Sequence, residues 1–318
     1  MRVRPGLRLL AVGLLAVAAV SAGCGASASS APTGEGTSTP APGLQARSTI
    51  PMSFVTVAHL SDNLARTIVI DARSPQEYAV GHISGAINVS WRLFSRVDSG
   101  KPGDPGWATL KSPSEISAVL SQFGIDARKQ VIAYASPDSW GADGRIIWML
   151  RMCAFPNSML LEGGYQAWAD AGKPVSTEVT KLAPLAVSVA SVDQSLRVTT
   201  AKVVAGLGRM KLADVRSSEE YMGTKASGGM RAGHIPGAVS MPFTTLLKSN
   251  GTLADPSQLI AQLGRIGITP NDDVVVHSAD GVQSAFATLV INGLGYKARN
   301  YDGSFYEWAG DKGRQVVK

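Results

Sequence analysis

Apolar residues along the chain fall into short runs separated by polar and glycine-rich breaks. QVIAYA (Gln130–Ala135) and DVVVHS (Asp273–Ser278) are continuous apolar runs, the pattern of strands buried on both faces of a parallel sheet. TIVIDAR (Thr67–Arg73) and KLADVR (Lys211–Arg216) are similar runs that end in a turn. Each of the first two runs is followed by a helical pattern, IIWMLRMCAF and QSAFATLVINGLGY. Ser74-Pro75-Gln76-Glu77 and Ser217-Ser218-Glu219-Glu220 are capping boxes that start further helices, the first with proline at the opening helical position. Strands alternating with helices predict an α/β fold: a mainly parallel sheet with helices on both faces.

The pattern occurs twice. IDARSPQEY (Ile70–Tyr78) returns as ADVRSSEEY (Ala213–Tyr221), 143 positions later. GHISGAINV (Gly81–Val89) returns as GHIPGAVSM (Gly233–Met241), after a glycine-rich insertion, MGTKASGGMRA. VIAYAS returns as VVVHSA, and EGGYQAW (Glu162–Trp168) as DGSFYEW (Asp302–Trp308). Four matches in one order predict two copies of one domain, at residues 49–174 and 197–318. The segment 175–196 between them, rich in Thr, Ser, Val and Pro without helical period, reads as a linker across the surface.

Charge changes the picture little. The chain carries net +6, but Arg2, Arg4 and Arg8 open it. Without residues 1–23 there are 27 basic and 24 acidic residues. No basic run is interleaved with aromatics, so nucleic-acid binding is not expected. The first 23 residues join a basic start to an apolar run, Leu9–Val20, too short to span a bilayer comfortably. Ser21-Ala22-Gly23-Cys24 resembles a bacterial lipobox, in which the cysteine receives lipid after cleavage. Residues 24–48 are rich in Ser, Thr, Pro and Gly and read as a flexible tether. The expected location is outside the cytoplasm, lipid-anchored to the cell membrane. With Cys24 lipidated, Cys153 stands alone and no internal disulfide forms.

The repeated D-x-R-S-x-x-E-Y…G-H-I-x-G-A motifs and the G-G-x-x-x-W ending, clear in the first copy and approximate in the second, resemble the rhodanese family in its tandem form. Thiosulfate and mercaptopyruvate sulfurtransferases are of this kind. The resemblance runs from about Thr49 to the C-terminus. It implies two rhodanese-like domains, an active loop in the second and a non-catalytic first. It also implies a cysteine at the end of the strand that carries a persulfide, in a loop reading C-x-x-G-x-R-S. Here the loop is Ser278-Ala279-Asp280-Gly281-Val282-Gln283-Ser284. Gly281 and Ser284 fit; serine replaces cysteine at 278, Gln283 replaces arginine, and Asp280 adds negative charge. Arg145 of the first copy matches an arginine that the family's inactive domain offers to the cleft. The first loop, Ala135 to Arg145, has no cysteine.

Other chemistry finds little support. A serine alcohol needs an adjacent base. His277 precedes Ser278 on a strand, so its side chain points to the opposite face. The loop also lacks a G-x-S-x-G elbow. His82 and His234 belong to the repeated GHI and read as structural, while His59 stands alone. No spacing suits a metal, and neither a metal nor a cofactor is expected. Arg73 and Arg216 are expected to pair with Glu77 and Glu220. Cys153, among Met152, Ala154 and Phe155, reads as core packing. Of Trp91, Trp107, Trp140 and Trp148, which could line the cleft, only Trp140 has a loop position suited to exposure. Three readings stand: a pseudoenzyme binding a small sulfur-containing anion or a protein partner, a working sulfurtransferase, or a structural envelope protein.

Overall fold

The computed structural model describes residues 53–136, 139 and 141–318. The leader, the tether with Cys24, and residues Pro137, Asp138 and Trp140 lie outside the described residues.

Among the described residues, twelve strands form two five-stranded parallel sheets and one small antiparallel pair. In the first half they are β1 (Phe54–Val55), β2 (Thr67–Asp71), β3 (His82–Ile83), β4 (Ile87–Asn88), β5 (Gln130–Tyr134), β6 (Ser158–Leu161) and β7 (Val175–Ser176). The second half adds β8 (Arg197–Val198), β9 (Lys211–Asp214), β10 (Ala238–Ser240), β11 (Asp273–His277) and β12 (Lys297–Tyr301). The strand orders are β1-β6-β5-β2-β4 and β8-β12-β11-β9-β10, the same topology twice. Register repeats too. Ile70 faces Ala133 in one sheet, and Ala213 faces Val276 in the other. The sheets are parallel, with helices flanking them, as the alternating pattern predicts. The segment after residue 174 is less plain a linker than its composition suggests. Val175–Ser176 pairs with His82–Ile83, and Leu182, Val187, Val192 and Leu196 pack on the core.

Both predicted capping boxes form. Ser74 and Ser217 each accept the N–H of the glutamate three residues on, and each glutamate reaches back to the cap. That use of Glu77 and Glu220 corrects one expectation. Arg73 and Arg216 pair instead with Asp71 (2.6 Å) and Asp214 (2.5 Å), and each also donates to a carbonyl, Gly81 O and Gly233 O. On extended chain, residues two apart share a face, so the acid inside D-x-R reaches the arginine first. All four side chains are buried. A buried ion pair persists only where its remaining donors and acceptors are satisfied, and the carbonyls help do that.

The two halves meet along the helices Ala142–Met152 and Val282–Gly293, which are apolar almost all round and buried on nearly every face. A helix of that character belongs inside a core. The apolar core accordingly runs unbroken from Phe54 and Trp148 of one half to Phe286 and Val290 of the other. Gly144 sets the approach: a Cβ there would lie 2.4 Å from Phe286 Cβ. Trp148 is fully buried in this interface and donates to Leu196 O, so it does not line a cleft.

Candidate active site

The loop Ser278–Ser284 joins the end of β11 to the interface helix. Val274–Val276 are wholly buried, so the chain emerges from the core at Ser278, itself 1 % exposed. Gly281 caps the following helix with φ 84°, a left-handed conformation natural to glycine. A Cβ at Gly281 would lie 2.4 Å from Asp302 O, so no other residue fits there without a shift.

Hydrogen bonds fix the direction of every hydroxyl around Ser278. Ser284 Oγ donates to Asn300 Oδ1 at 2.7 Å, which commits its only proton. Ser278 Oγ, 3.2 Å from Ser284 Oγ, is therefore the donor of that pair. Ser278 Oγ also accepts the Gly281 N–H at 3.0 Å. On the backbone side, Ser304 Oγ donates to Tyr301 O and accepts the Ser278 N–H at 3.1 Å. Asn300 closes the network by donating to Gly281 O at 3.1 Å. Asn300 and Ser304, both fully buried, are partners that the loop motif alone does not disclose. The repeated position of DGSFYEW was the available signal for Ser304.

Among the described residues, no base reaches Ser278. His277 points away, its Nε2 lying 3.7 Å from Asp214 Oδ2 and without a hydrogen-bond partner among the described residues. Burial holds its pKa below the ordinary histidine value, against the pull of Asp214. Asp280 accepts the Val282 N–H at 3.2 Å, and burial pushes its pKa up despite Arg145 and Arg92. Two of the loop's amides, at 281 and 282, are thus occupied by the chain's own side chains. Gln283 is half-buried beside them.

Arg145 crosses the interface to the loop. It is 1 % exposed and donates to Gly281 O at 3.1 Å and to Ala108 O at 2.7 Å. Burial lowers its pKa to about 10, which leaves it charged at neutral pH. A mirrored pair of contacts flanks it. Leu110 N–H donates to Asp302 Oδ2 at 3.2 Å, and at the related place the Leu253 N–H faces Glu162.

The first-half loop offers an internal comparison. Gly141, φ 74°, caps its helix as Gly281 caps the other, which places Asp143 where Gln283 stands. Gly144 N–H donates to Asp143 Oδ1 at 2.8 Å, and the amides of Asp143 and Ala135 also serve this carboxylate. Burial nonetheless pushes Asp143 up to about 7. This loop closes around a carboxylate of its own chain. Cys153 caps the end of that helix, beyond its last turn; it is 4 % exposed, and burial pushes its thiol up to about 12. Trp107 stands near the second loop, its ring 6.0 Å from that of Tyr306, whose N–H donates to Ala279 O. Trp91 packs against the core, half-buried, under Arg92.

Known proteins share this fold. The family model for the rhodanese-like domain matches residues 56–171 and 199–311. The sulfur carrier protein TtuD of Thermus thermophilus is 30 % identical over 274 residues, 82 % of this chain and 93 % of that protein. A thiosulfate sulfurtransferase of Azotobacter vinelandii is 31 % identical, over 76 % of this chain and 87 % of its own. Among solved structures, wild-type EanB superposes with a TM-score of 0.72 at 20 % identity, covering 85 % of this chain and 68 % of that one. YnjE gives 0.71 at 22 % identity, over 84 % and 68 %. By the two matched segments and these relatives, the chain belongs to the rhodanese family, with two rhodanese-like domains in tandem.

Proposed function

We propose that this protein is a lipid-anchored, exported pseudoenzyme of the family, which binds a small sulfur-containing anion at loop 278–284 without transferring sulfur. The observation that carries this reading is the state of Ser278. Its proton is committed to Ser284, no base among the described residues is in reach, and oxygen cannot hold a sulfane sulfur as a thiolate does. Cys153, the one cysteine among the described residues, is buried with its thiol pKa near 12, so it supplies no thiolate at neutral pH. The related loop supports the anion. There, amides of 135, 143 and 144 gather on the Asp143 carboxylate. The matching positions 278, 283 and 284 carry no carboxylate; the Ser278 N–H goes to the neutral Ser304 Oγ instead, and Arg145 stands behind the loop. A second reading, a working sulfurtransferase, is favoured by the names of the relatives.

Asp280 sets the pH dependence of binding. Its pKa is raised, so it discharges above the ordinary carboxylate range as pH falls. Losing that charge removes a repulsion, so an anion binds more tightly at lower pH. Titration calorimetry with thiosulfate, and with sulfate as a second probe, is expected to show tighter binding at pH 5 than at pH 7.5. Asp280→Asn should strengthen binding by about threefold to tenfold at the higher pH and flatten the dependence. No binding of either anion at any pH would end the anion reading.

Anchoring is carried by the leader and Cys24. Multiple acyl chains hold a protein on a membrane where one alone is marginal. Cys24→Ser is expected to move the protein from the membrane fraction to the soluble one; native protein with an unmodified Cys24 by mass spectrometry would reject the anchor.

A further inference from the structure

Ser278 is almost sealed from solvent, and a segment of the first half lies beside its loop, linked to it through Arg145 and through the Trp107–Tyr306 contact. A flap of the first half, residues 95–110, extends from the core toward the second half. Its base is tightly held. Ser95 and Leu110 form an antiparallel bridge, and Arg96 and Thr109 bond at 2.8 Å. Ala108 O receives Arg145, and Leu110 N–H donates to Asp302 across the interface. Ala108 even accepts a left-handed φ of 61° to do so.

The tip, residues 98–107, is held differently. Its bonds are local: Lys101 and Asp104 to each other, Trp107 to Asp104, and Asp98 to Lys111. Among the described residues, none of the tip hydrogen-bonds to the second half. It only rests there. Gly103 lies against Met230 and Gly310, and Trp107 beside Tyr306, whose N–H holds Ala279 of the loop. Gly100, Gly103 and Gly106 all have left-handed φ, between 77° and 99°. Three such glycines supply backbone freedom on either side of the contact. The surface beneath is firm by contrast: Arg231 ties the insertion to Ala309, Asp311 and Arg314 carbonyls.

The geometry points to residues 98–107 as a lid that opens about a fixed base and controls access to loop 278–284. Van der Waals contact without hydrogen bonds is the part of a structure that opens first. Gly310 gives a way to prise it. A Cβ there would lie 1.9 Å from Gly103 O, and the clash falls on the lid and not on the loop.

The test places a reporter thiol in the full-length chain by Ser278→Cys, with Cys153→Ala in the same chain. N-ethylmaleimide labelling of the introduced thiol is followed by peptide mass spectrometry. Gly310→Ala and Trp107→Ala are each expected to speed labelling by about tenfold, as weaker packing shifts a local opening equilibrium. Unchanged or slower labelling in folded variants would overturn the lid. Hydrogen exchange on the wild-type chain decides without any substitution. Amides of Lys101, Asp104 and Trp107 should exchange well before those of Arg96 and Ala108, and exchange of tip and base together would overturn the lid. Neither readout depends on which anion the loop holds, so failure of thiosulfate to bind would leave both expectations standing.

Discussion

The wild-type protein will form no thiocyanate from thiosulfate and cyanide, Ser278→Cys will form a little, and the triple variant Ser278→Cys, Asp280→Ser, Gln283→Arg will form much more. The chemistry sets the order. A thiolate attacks the outer sulfur of thiosulfate; the new S–S bond forms as the old one breaks, and its electron pair leaves with sulfite. Cyanide then takes the outer sulfur from the persulfide as thiocyanate and frees the thiolate. Without sulfur at 278 the first step has no nucleophile. With cysteine there, the helix start lowers the thiol pKa from about 8.5 toward roughly 3.5–7.5. Asp280 opposes this, being half-buried and bonded to the Val282 amide within the same turn. A neighbouring carboxylate raises a thiol pKa by about a unit or more and repels a dianion, and an arginine at 283 acts the opposite way. The triple variant should therefore exceed the single one by at least about tenfold. A +32 Da adduct, about the mass of one sulfur, should appear on the introduced cysteine only. Wild-type turnover that survives Cys153→Ala would sink the pseudoenzyme reading.

Much of this architecture could be read from the chain because it is written twice. Apolar runs mark β5 and β11, and the capping boxes at Ser74 and Ser217 mark helix starts; both signals are local, and each copy checks the other. The partners of Arg73 and Arg216 are not legible in the sequence, because two acids compete for each. The choice falls to Asp71 and Asp214, since extended chain puts residues two apart on one face. Ser278 and Arg145 stand out by resemblance. Asn300 does not, and the repeat at DGSFYEW marks Asp302 and Ser304 without showing where they act, because each reaches the loop only through tertiary packing. Nor does sequence order show that the first loop closes on Asp143. That depends on three amides converging from both sides of a turn.

Arg145→Met is expected to destabilise the protein by roughly 3–5 kcal/mol, the usual cost of removing one partner from a buried charged network. Methionine keeps most of the volume, so the loss is not chiefly a cavity. Arg145 is 1 % exposed and serves carbonyls from both halves, Ala108 O in the flap and Gly281 O in the loop. Without it, both halves lose a charged donor at the interface. Asn300 still bonds Gly281 O, so the larger loss falls on Ala108, whose φ of 61° then has less to hold it. A left-handed alanine costs about 1–2 kcal/mol, which favours release of the flap base. Asp302 also loses a neighbouring positive charge and keeps Arg197 and the Leu110 N–H. Arg145→Lys should fall between the two, since an ammonium keeps the charge but not the planar fork that spans two carbonyls. In a folded unit of this size the methionine variant should melt roughly 10 °C lower. It should also expose its flap-base amides, Ala108 and Leu110, to early hydrogen exchange. A methionine variant as stable as the wild type, with those amides still protected, would mean that apolar packing of the two interface helices alone holds the halves together.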